Sequence, residues 1–366
     1  MKITLFGLTL SSSWGNGHAT PYRALLRALA RRGHKVTFFE RDVPYYAQRR
    51  DFSECDYCRL VLYPRWEDVR DYACEEAADS DAVIVGSYCP EGARIVDEVL
   101  ALSHPVHVFY DLDTPITLEK LRAGEAGHLR RDQIPEFDLY LSFTGGAILG
   151  ELEEHWKARI ARPLYGCVDP DVYIREGRKE ELTCDLSYMG TYAGDRQSKL
   201  DELFLGPARS MPEKEFVLAG SMYPEQWSWP ANVRRFEHVA PALHPAFYSS
   251  CRFTLNVTRG QMARFGYCPS GRFFEASACG TPILSDWWEG LDLFFTPGTQ
   301  IAIVNQASDV VNYLQQSDEE LRQMARQARE RTLEEHTGER RAQQLIEYLE
   351  LATRGYAPSY SSMEAA

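Results

Sequence analysis

The residues with the clearest chemistry lie between Pro269 and Asp286, in PSGRFFEASACGTPILSD. A loop ends at Pro269-Ser270-Gly271, Arg272 opens a helical stretch that stops at Gly280, and Thr281-Pro282 lead into an apolar strand. Gly271 has no side chain to hold a ligand away. The free N–H groups of a helix start favour an anion, and Arg272 adds a planar, two-pronged donor, so the three together suit a diphosphate. Glu275 stands three residues on, on the same helix face, where a carboxylate can accept both hydroxyls of a ribose. A plain Arg272–Glu275 ion pair is the alternative and would be worth only ~0.2–0.5 kcal/mol. Two further arginines are placed for the same anion. Arg196 and, one turn later, Lys199 sit at a helix start in GTYAGDRQSKL, where a cation opposes the helix dipole unless a phosphate lies there. Arg259 follows Asn256 and Thr258 at the end of a strand and is a second phosphate clamp.

A different set of groups gathers near the N-terminus. SSSWGNGHAT, residues 11–20, follows a first apolar strand and opens a helix. Gly15 and Gly17 let the backbone approach a ligand, and with Trp14 they are candidates for contact with a sugar or an acceptor. His18 stands at the turn and is a candidate general base, its intrinsic pKa being near neutrality; a helix-capping histidine is the other reading. The segment matches a dinucleotide fingerprint only in part, because Thr20 replaces the last glycine. Asp111 and Asp113 end another strand, where either can accept a hydroxyl proton or bind sugar hydroxyls; an Asx-turn before Pro115 is the alternative. Trp227, Trp229, Trp287 and Trp288 can stack on a base or a sugar, or pack in the core. Cys55 and Cys58 form a lone C-x-x-C, read as two unlinked thiols near a strand.

These groups need strands and helices to hold them, and the chain alternates the two throughout, as a parallel α/β protein does. Strands are expected at 2–8, 35–41, 59–63, 82–87, 106–111 and 138–143, with helices at 21–32, 67–78, 93–102 and 147–159 between or after them. A second series has strands at 186–189, 215–219, 234–239, 253–257, 282–285 and 300–304, and residues 318–351 read as a charged, amphipathic helical tail. The proline- and glycine-containing stretch 162–171 reads as the connector between the two series. Open α/β sheets bind ligands at the carboxyl ends of their strands, so two such sheets are expected to face each other across a cleft.

Bulk properties set the outer limits. The 366 residues carry a net charge of −13, with 44% hydrophobic and 25% charged residues. This is a globular composition too long for one ordinary core, and its sign argues against nucleic acid as a partner. Apolar runs fall short of the ~18 residues needed for a membrane span. MKITLFGLTL reads as a buried first strand rather than a signal peptide, and the odd number of cysteines, nine, suits free thiols in the cytoplasm.

With its R-x-F-E-x-x-A-C-G core, PSGRFFEASACGTPILSD resembles the second-domain signature of GT-B glycosyltransferases, in particular the CgeB-like, spore-maturation group. YDLDTP, LYGCVDP, MGTYAGDR and the R-G-H-K-V before the second strand resemble segments of that group in matching order. The resemblance implies two Rossmann-like domains. Residues 1–165 would form an acceptor domain, rejoined by a C-terminal helix at about 338–366, and residues 166–337 a nucleotide-sugar donor domain. It implies a hexosyltransferase acting on a hydroxyl-bearing acceptor, with no metal or cofactor and a nucleotide-diphosphate sugar as co-substrate, UDP-sugar preferred. Glu275 would hold the donor ribose, while Arg272, Arg196 and Arg259 would neutralise the diphosphate. Many retaining members carry E-x7-E, and Tyr267 stands where the earlier glutamate would be. In inverting relatives a histidine in the first glycine loop is the base, and His18 holds a similar place. A nucleotide-sugar epimerase or phosphorylase on the same architecture, and a non-catalytic nucleotide- or sugar-binding protein, are the alternatives.

Overall fold

Short β-branched and aromatic runs separated by helices assemble into two parallel sheets in the computed structural model, which describes residues 1–52, 54–125 and 127–354. The chain divides into two compact units. Unit 1 holds residues 1–166 and the chain from Gly338 onward, and unit 2 holds Cys167–Thr337.

The sheet of unit 1 has strands β1 (Lys2–Gly7), β2 (Lys35–Arg41), β3 (Arg59–Tyr63), β4 (Ala82–Gly86), β5 (Val106–Asp111), β6 (Leu139–Ser142) and β7 (Ala161–Pro163). Their order is β3-β2-β1-β4-β5-β6-β7 and all neighbours are parallel. β4, AVIVG, is buried along its whole length, as a central strand covered on both faces must be. The last strand corrects the sequence reading, which placed the start of the connector at 162. The helix expected over 147–159 ends at Glu154, and Lys157 takes a positive φ of 64°, which turns the chain back so that Ala161–Pro163 pairs with β6. A run of three residues carries too little periodicity to read as a strand.

Unit 2 repeats the design with β8 (Cys184–Met189), β9 (Phe216–Ala219), β10 (Val233–Phe236), β11 (Cys251–Asn256), β12 (Ile283–Ser285) and β13 (Ala302–Ile303), ordered β10-β9-β8-β11-β12-β13 and parallel. Its core is built from Leu186, Phe204, Phe216, Phe253, Leu284 and their neighbours. A bridge between Val168 and Thr337 brings the unit's first and last residues together.

The helical tail consists of two helices, Asp318–Glu335 and Gly338–Thr353, the second starting where the returning helix was expected. The first starts with a capping box in which the Ser317 hydroxyl and backbone N–H donate to Glu320. It ends where the buried His336 ring packs 4.6 Å from Phe274 in unit 2. The second belongs to unit 1. A Cβ on Gly338 would lie 2.4 Å from the Ala24 carbonyl oxygen, so glycine permits the close approach to the helix Ala19–Arg31. The buried Arg341 donates to the carbonyls of Tyr165 and Gly166. The part of the expected returning helix beyond residue 354 lies outside the described residues. Among the described residues no helix is long and apolar enough to cross a membrane.

Candidate functional site

Strand order fixes where each sheet can bind. In both units the order reverses at one point, between β1 and β4 and between β8 and β11, and the loops leaving the carboxyl ends of those strands diverge there. In unit 2 they are the loop after β8, which runs into the helix Gly194–Leu200, and the loop after β11, which runs into the helix Gly260–Phe265. An open pocket of about 630 Å³ lies between them, lined by Tyr192, Gly194, Asp195, Arg259, Gln261 and Arg264.

Arg196, buried, and Arg272, partly buried, stand close enough to repel each other but are not among the residues that line this pocket. Arg196 is 7% exposed, donates to the Thr191 carbonyl, and leaves its buried Nε without a partner. Burial pushes its guanidinium below the ordinary range, and the like charges of Arg272 and Arg259 push the same way. Arg272 lies 5.6 Å above the Tyr188 ring and donates Nε to the Ser270 hydroxyl, while its buried Nη1 has no partner. Neither arginine forms an ion pair among the described residues. Taking a cation such as Arg196 out of water without an ion-pair partner costs several kcal/mol, so its position beside the partly buried Arg272 favours an anion. The helix Gly271–Ala278 starts beside Arg272 with no side chain capping its first turn. A Cβ on Gly271 would meet only Glu275 Oε1 at 3.7 Å, which leaves its outer side open.

Glu275 is also 7% exposed. Burial raises its pKa to about 7, with Arg272 and the Tyr248 and Tyr173 hydroxyls working in the opposite direction. The Tyr248 hydroxyl donates to Oε2 at 3.3 Å, and His244 Nδ1 lies 4.0 Å from the same oxygen.

The other cations predicted for the anion are already paired. Lys199 Nζ lies 2.5 Å from Asp286, whose second oxygen accepts from the backbone and hydroxyl of Thr258. Arg259 is half-exposed and pairs with Asp195 at 3.3 Å. It lines the pocket, but as one half of an ion pair.

The tryptophans divide. Trp288 is core, 2% exposed and packed on Phe273, and Trp287 is exposed. Trp227 and Trp229 join Tyr192 and Tyr223 in a ring cluster with centroids 5.4–6.3 Å apart. The Tyr223 hydroxyl donates to the Gly190 carbonyl, which anchors that cluster at the end of β8. Tyr267 takes a φ of 48° and is pinned by its N–H to the Glu289 carbonyl.

In unit 1 the equivalent loop, after β1, is held from within. Glu40, fully buried at the end of β2, accepts four hydrogen bonds from Thr9 Oγ1, Leu10 N, Ser11 N and Ser11 Oγ at 2.6–2.9 Å. Asn16 Oδ1 accepts from the N–H groups of His18 and Ala19, so the helix-capping role falls to Asn16 and the imidazole is free of it. His18 Nε2 lies 2.9 Å from Asp113 Oδ2, and its Nδ1 has no partner.

Gly15 has a φ of 63°, and any Cβ there would strike the Tyr45 hydroxyl. Gly17 faces open space, and Trp14 lies 4.0 Å under the Arg49 guanidinium. Asp111 departs from the expectation that it offers a carboxylate to a ligand. It is fully buried, and it accepts hydrogen bonds from Tyr140, Thr117 and the Asp113 backbone, while burial lifts its pKa to about 6. Of the two acids, only Asp113 meets His18.

Three residues of this region were not singled out in the sequence. Tyr88, after β4, has a φ of 58° and places its ring 5.8 Å from His18 and 4.9 Å from His128. Burial, with Lys120 adding to it, presses His128 down to about 4, so its ring is neutral. The position of Tyr88 at the carboxyl end of a strand beside the order reversal was the available signal. Nothing local marks Glu40 or His128.

Comparison with known proteins agrees with this geometry. Residues 196–347 match the family model described as glycosyl transferase-like. A search of curated proteins finds no match. Among solved structures, sucrose-phosphate synthase from Thermosynechococcus elongatus superposes with a TM-score of 0.68 at 13% identity, covering 97% of this chain and 100% of that one. An alpha-glucosyltransferase in complex with UDP-glucose and DNA reaches 0.71 at 13% identity, covering 95% and 99%. HepE from Anabaena, in complex with UDP and glucose, reaches 0.63 at 12%, covering 96% and 99%. The chain is therefore built on the GT-B glycosyltransferase fold, with a glycosyl transferase-like signature over residues 196–347.

Proposed function

We propose that this protein transfers a hexosyl group from a nucleotide-diphosphate sugar, with UDP-sugar preferred, to a hydroxyl of an acceptor. The observation that carries the reading is the pair Arg196 and Arg272, two cations with buried, unpartnered nitrogens beside Glu275 and an open helix start. A diphosphate supplies the missing counter-charge, and the 2′- and 3′-hydroxyls of the attached ribose supply donors for the Glu275 carboxylate. The ring cluster of Tyr192, Tyr223, Trp227 and Trp229 offers faces for the base. As the bond between sugar and diphosphate breaks, negative charge grows on the leaving oxygens. Arginines fixed in advance stabilise that charge without having to reorganise.

In unit 1, His18 Nε2 faces the Asp113 carboxylate, an arrangement that suits a proton on Nε2 and leaves the buried Nδ1 as the basic nitrogen. It is the group suited to receive the acceptor's hydroxyl proton, and Trp14 and Gly17 lie on the same loop. The net charge of −13 disfavours a nucleic-acid acceptor, whose phosphates would be repelled.

Titration with UDP and with a panel of nucleotide sugars, read by calorimetry, tests the donor assignment. Micromolar binding of UDP that disappears in Arg272→Ala and Glu275→Ala is expected. Unchanged affinity in both variants would overturn it. Release of UDP only when a hydroxyl-bearing acceptor is added separates transfer from donor isomerisation and from simple binding.

A further inference from the structure

The C-x-x-C lies outside both sets of residues used above, yet its two sulfurs are 3.0 Å apart. Both cysteines are partly exposed. Of the other seven, six are buried, and Cys74 faces the Glu98 carboxylate. The segment that carries the pair also braces the glycine loop. The Asp51 and Phe52 N–H groups donate to the Ser11 carbonyl, Ser13 donates through its N–H and hydroxyl to Asp51, and Ser12 donates to the Arg49 carbonyl. Arg23 pairs with Asp51 and lies over the Phe52 ring, and Arg27 lies over Tyr57.

We propose that Cys55 and Cys58 are a reversible dithiol–disulfide site, closed by exchange with a low-molecular-weight disulfide, which ties the end of the segment bracing the glycine loop. Two sulfurs already in contact need to move only on the order of 1 Å to bond. Metal binding by the pair would need further ligands, and among the described residues no group of three or more metal-ligating side chains gathers.

The electrostatics fit a nucleophile and its resolving partner. The hydrogen bond from Cys58 is the largest influence on Cys55 and brings its thiol down to about 6, against the effect of burial. Cys58 is pushed up, first by that same bond and then by burial. The exchange then runs in two steps. The Cys55 thiolate attacks one sulfur of the small disulfide, forms a mixed disulfide and expels one thiolate. The negative charge that held the Cys58 proton is now gone, so Cys58 loses its proton and attacks Cys55 Sγ, expelling the second thiolate. Two electrons pass from the pair to the small disulfide, and the two protons end on the two released thiols.

The test uses the full chain. After equilibration with oxidised glutathione and trapping of free thiols, trypsin should release residues 51–59 as one peptide, since Arg50 and Arg59 bound it. The expected product is that peptide lighter by two hydrogens, restored by dithiothreitol, at a glutathione concentration that leaves Cys74 unmodified. Cys58→Ser should stop at a glutathione adduct on Cys55, and Cys55→Ser should leave Cys58 unmodified. In the reduced protein, Cys55 should react with iodoacetamide at pH 7 at least ~10-fold faster than Cys74. Free thiols at both positions, or separate glutathione adducts on both, would overturn the proposal.

Discussion

The two units share one topology and use it in opposite ways. Each reverses its strand order once, and each sends glycine-bearing loops out at that point. In unit 2 the loops and helix starts leave cationic atoms unsatisfied, on Arg196 and Arg272. In unit 1 residues 9–13 of the loop are held internally, with Glu40 taking four hydrogen bonds from residues 9–11 and Asp51 holding Ser13, and the atom left without a partner there is an imidazole nitrogen, Nδ1 of His18, rather than a guanidinium nitrogen. Rossmann-like sheets that bind a ribose place an acid near the end of the second strand. Glu40 occupies that place in unit 1, yet it spends its lone pairs on its own backbone. Topology therefore marks where the loops of each sheet diverge, and the balance of satisfied and unsatisfied polar atoms distinguishes the two units.

Four perturbations break or sharpen this contrast. The largest effect is expected from His18→Ala, which should lower turnover by about 10²–10⁴-fold, the usual loss of a general base, while UDP affinity stays unchanged. A fall in UDP affinity would erase the division of labour between the units. Arg272→Ala should weaken UDP binding by about 2–4 kcal/mol, roughly 30- to 1000-fold, because it removes a desolvated partner of the diphosphate. The same variant should change the unfolding temperature little without ligand, since it removes a charge that forms no ion pair among the described residues, against the loss of one hydrogen bond to Ser270 and a contact with the Tyr188 ring.

Glu275→Gln acts through pH. The carboxyl has a pKa of about 7 in the folded protein against an ordinary value of 4.5, so between those values the folded state holds more protons than the unfolded state. Stability therefore falls as pH rises through that window. The variant should lose less stability between pH 4.5 and 7 and gain up to about 3 kcal/mol at neutral pH in urea unfolding. Asp111 adds a similar slope from its ordinary value of 3.8 to about 6, which should persist in the variant. The smallest effect is expected from Arg259→Ala. A half-exposed arginine already paired with Asp195 should change UDP affinity by less than about 1 kcal/mol. A loss as large as that of Arg272→Ala would show that the pair opens on binding.

Much of this was legible in order along the chain. Gly271, Arg272 and Glu275 could be placed together on one helix start because a loop, a helix start and a three-residue spacing are local facts, and the strand series followed from apolar runs. Legibility failed where a residue's role depends on a distant partner. Asp111 and Asp113 are equivalent on paper. The structure buries one against Tyr140 and turns the other to His18, which is 95 positions away in sequence. Lys199 looks as available as Arg196 until Asp286 is brought to 2.5 Å from it. The helical tail over 318–351 is interrupted at His336, whose ring packs on Phe274, a contact that a local pattern does not contain.

The sequence by itself determined the alternation of strands and helices, the connector near residue 166, and the cluster of anion-binding residue types after Pro269. Periodicity and turn chemistry act over a few residues and need no knowledge of the rest. Only the tertiary structure decided which charges remain unpaired, that Glu40 closes the first loop, and that Cys55 meets Cys58 while the other cysteines are mostly buried. The reason is physical. Pairing, burial and the resulting shifts in protonation depend on which side chains folding brings within a few ångströms, and sequence separation does not measure that distance.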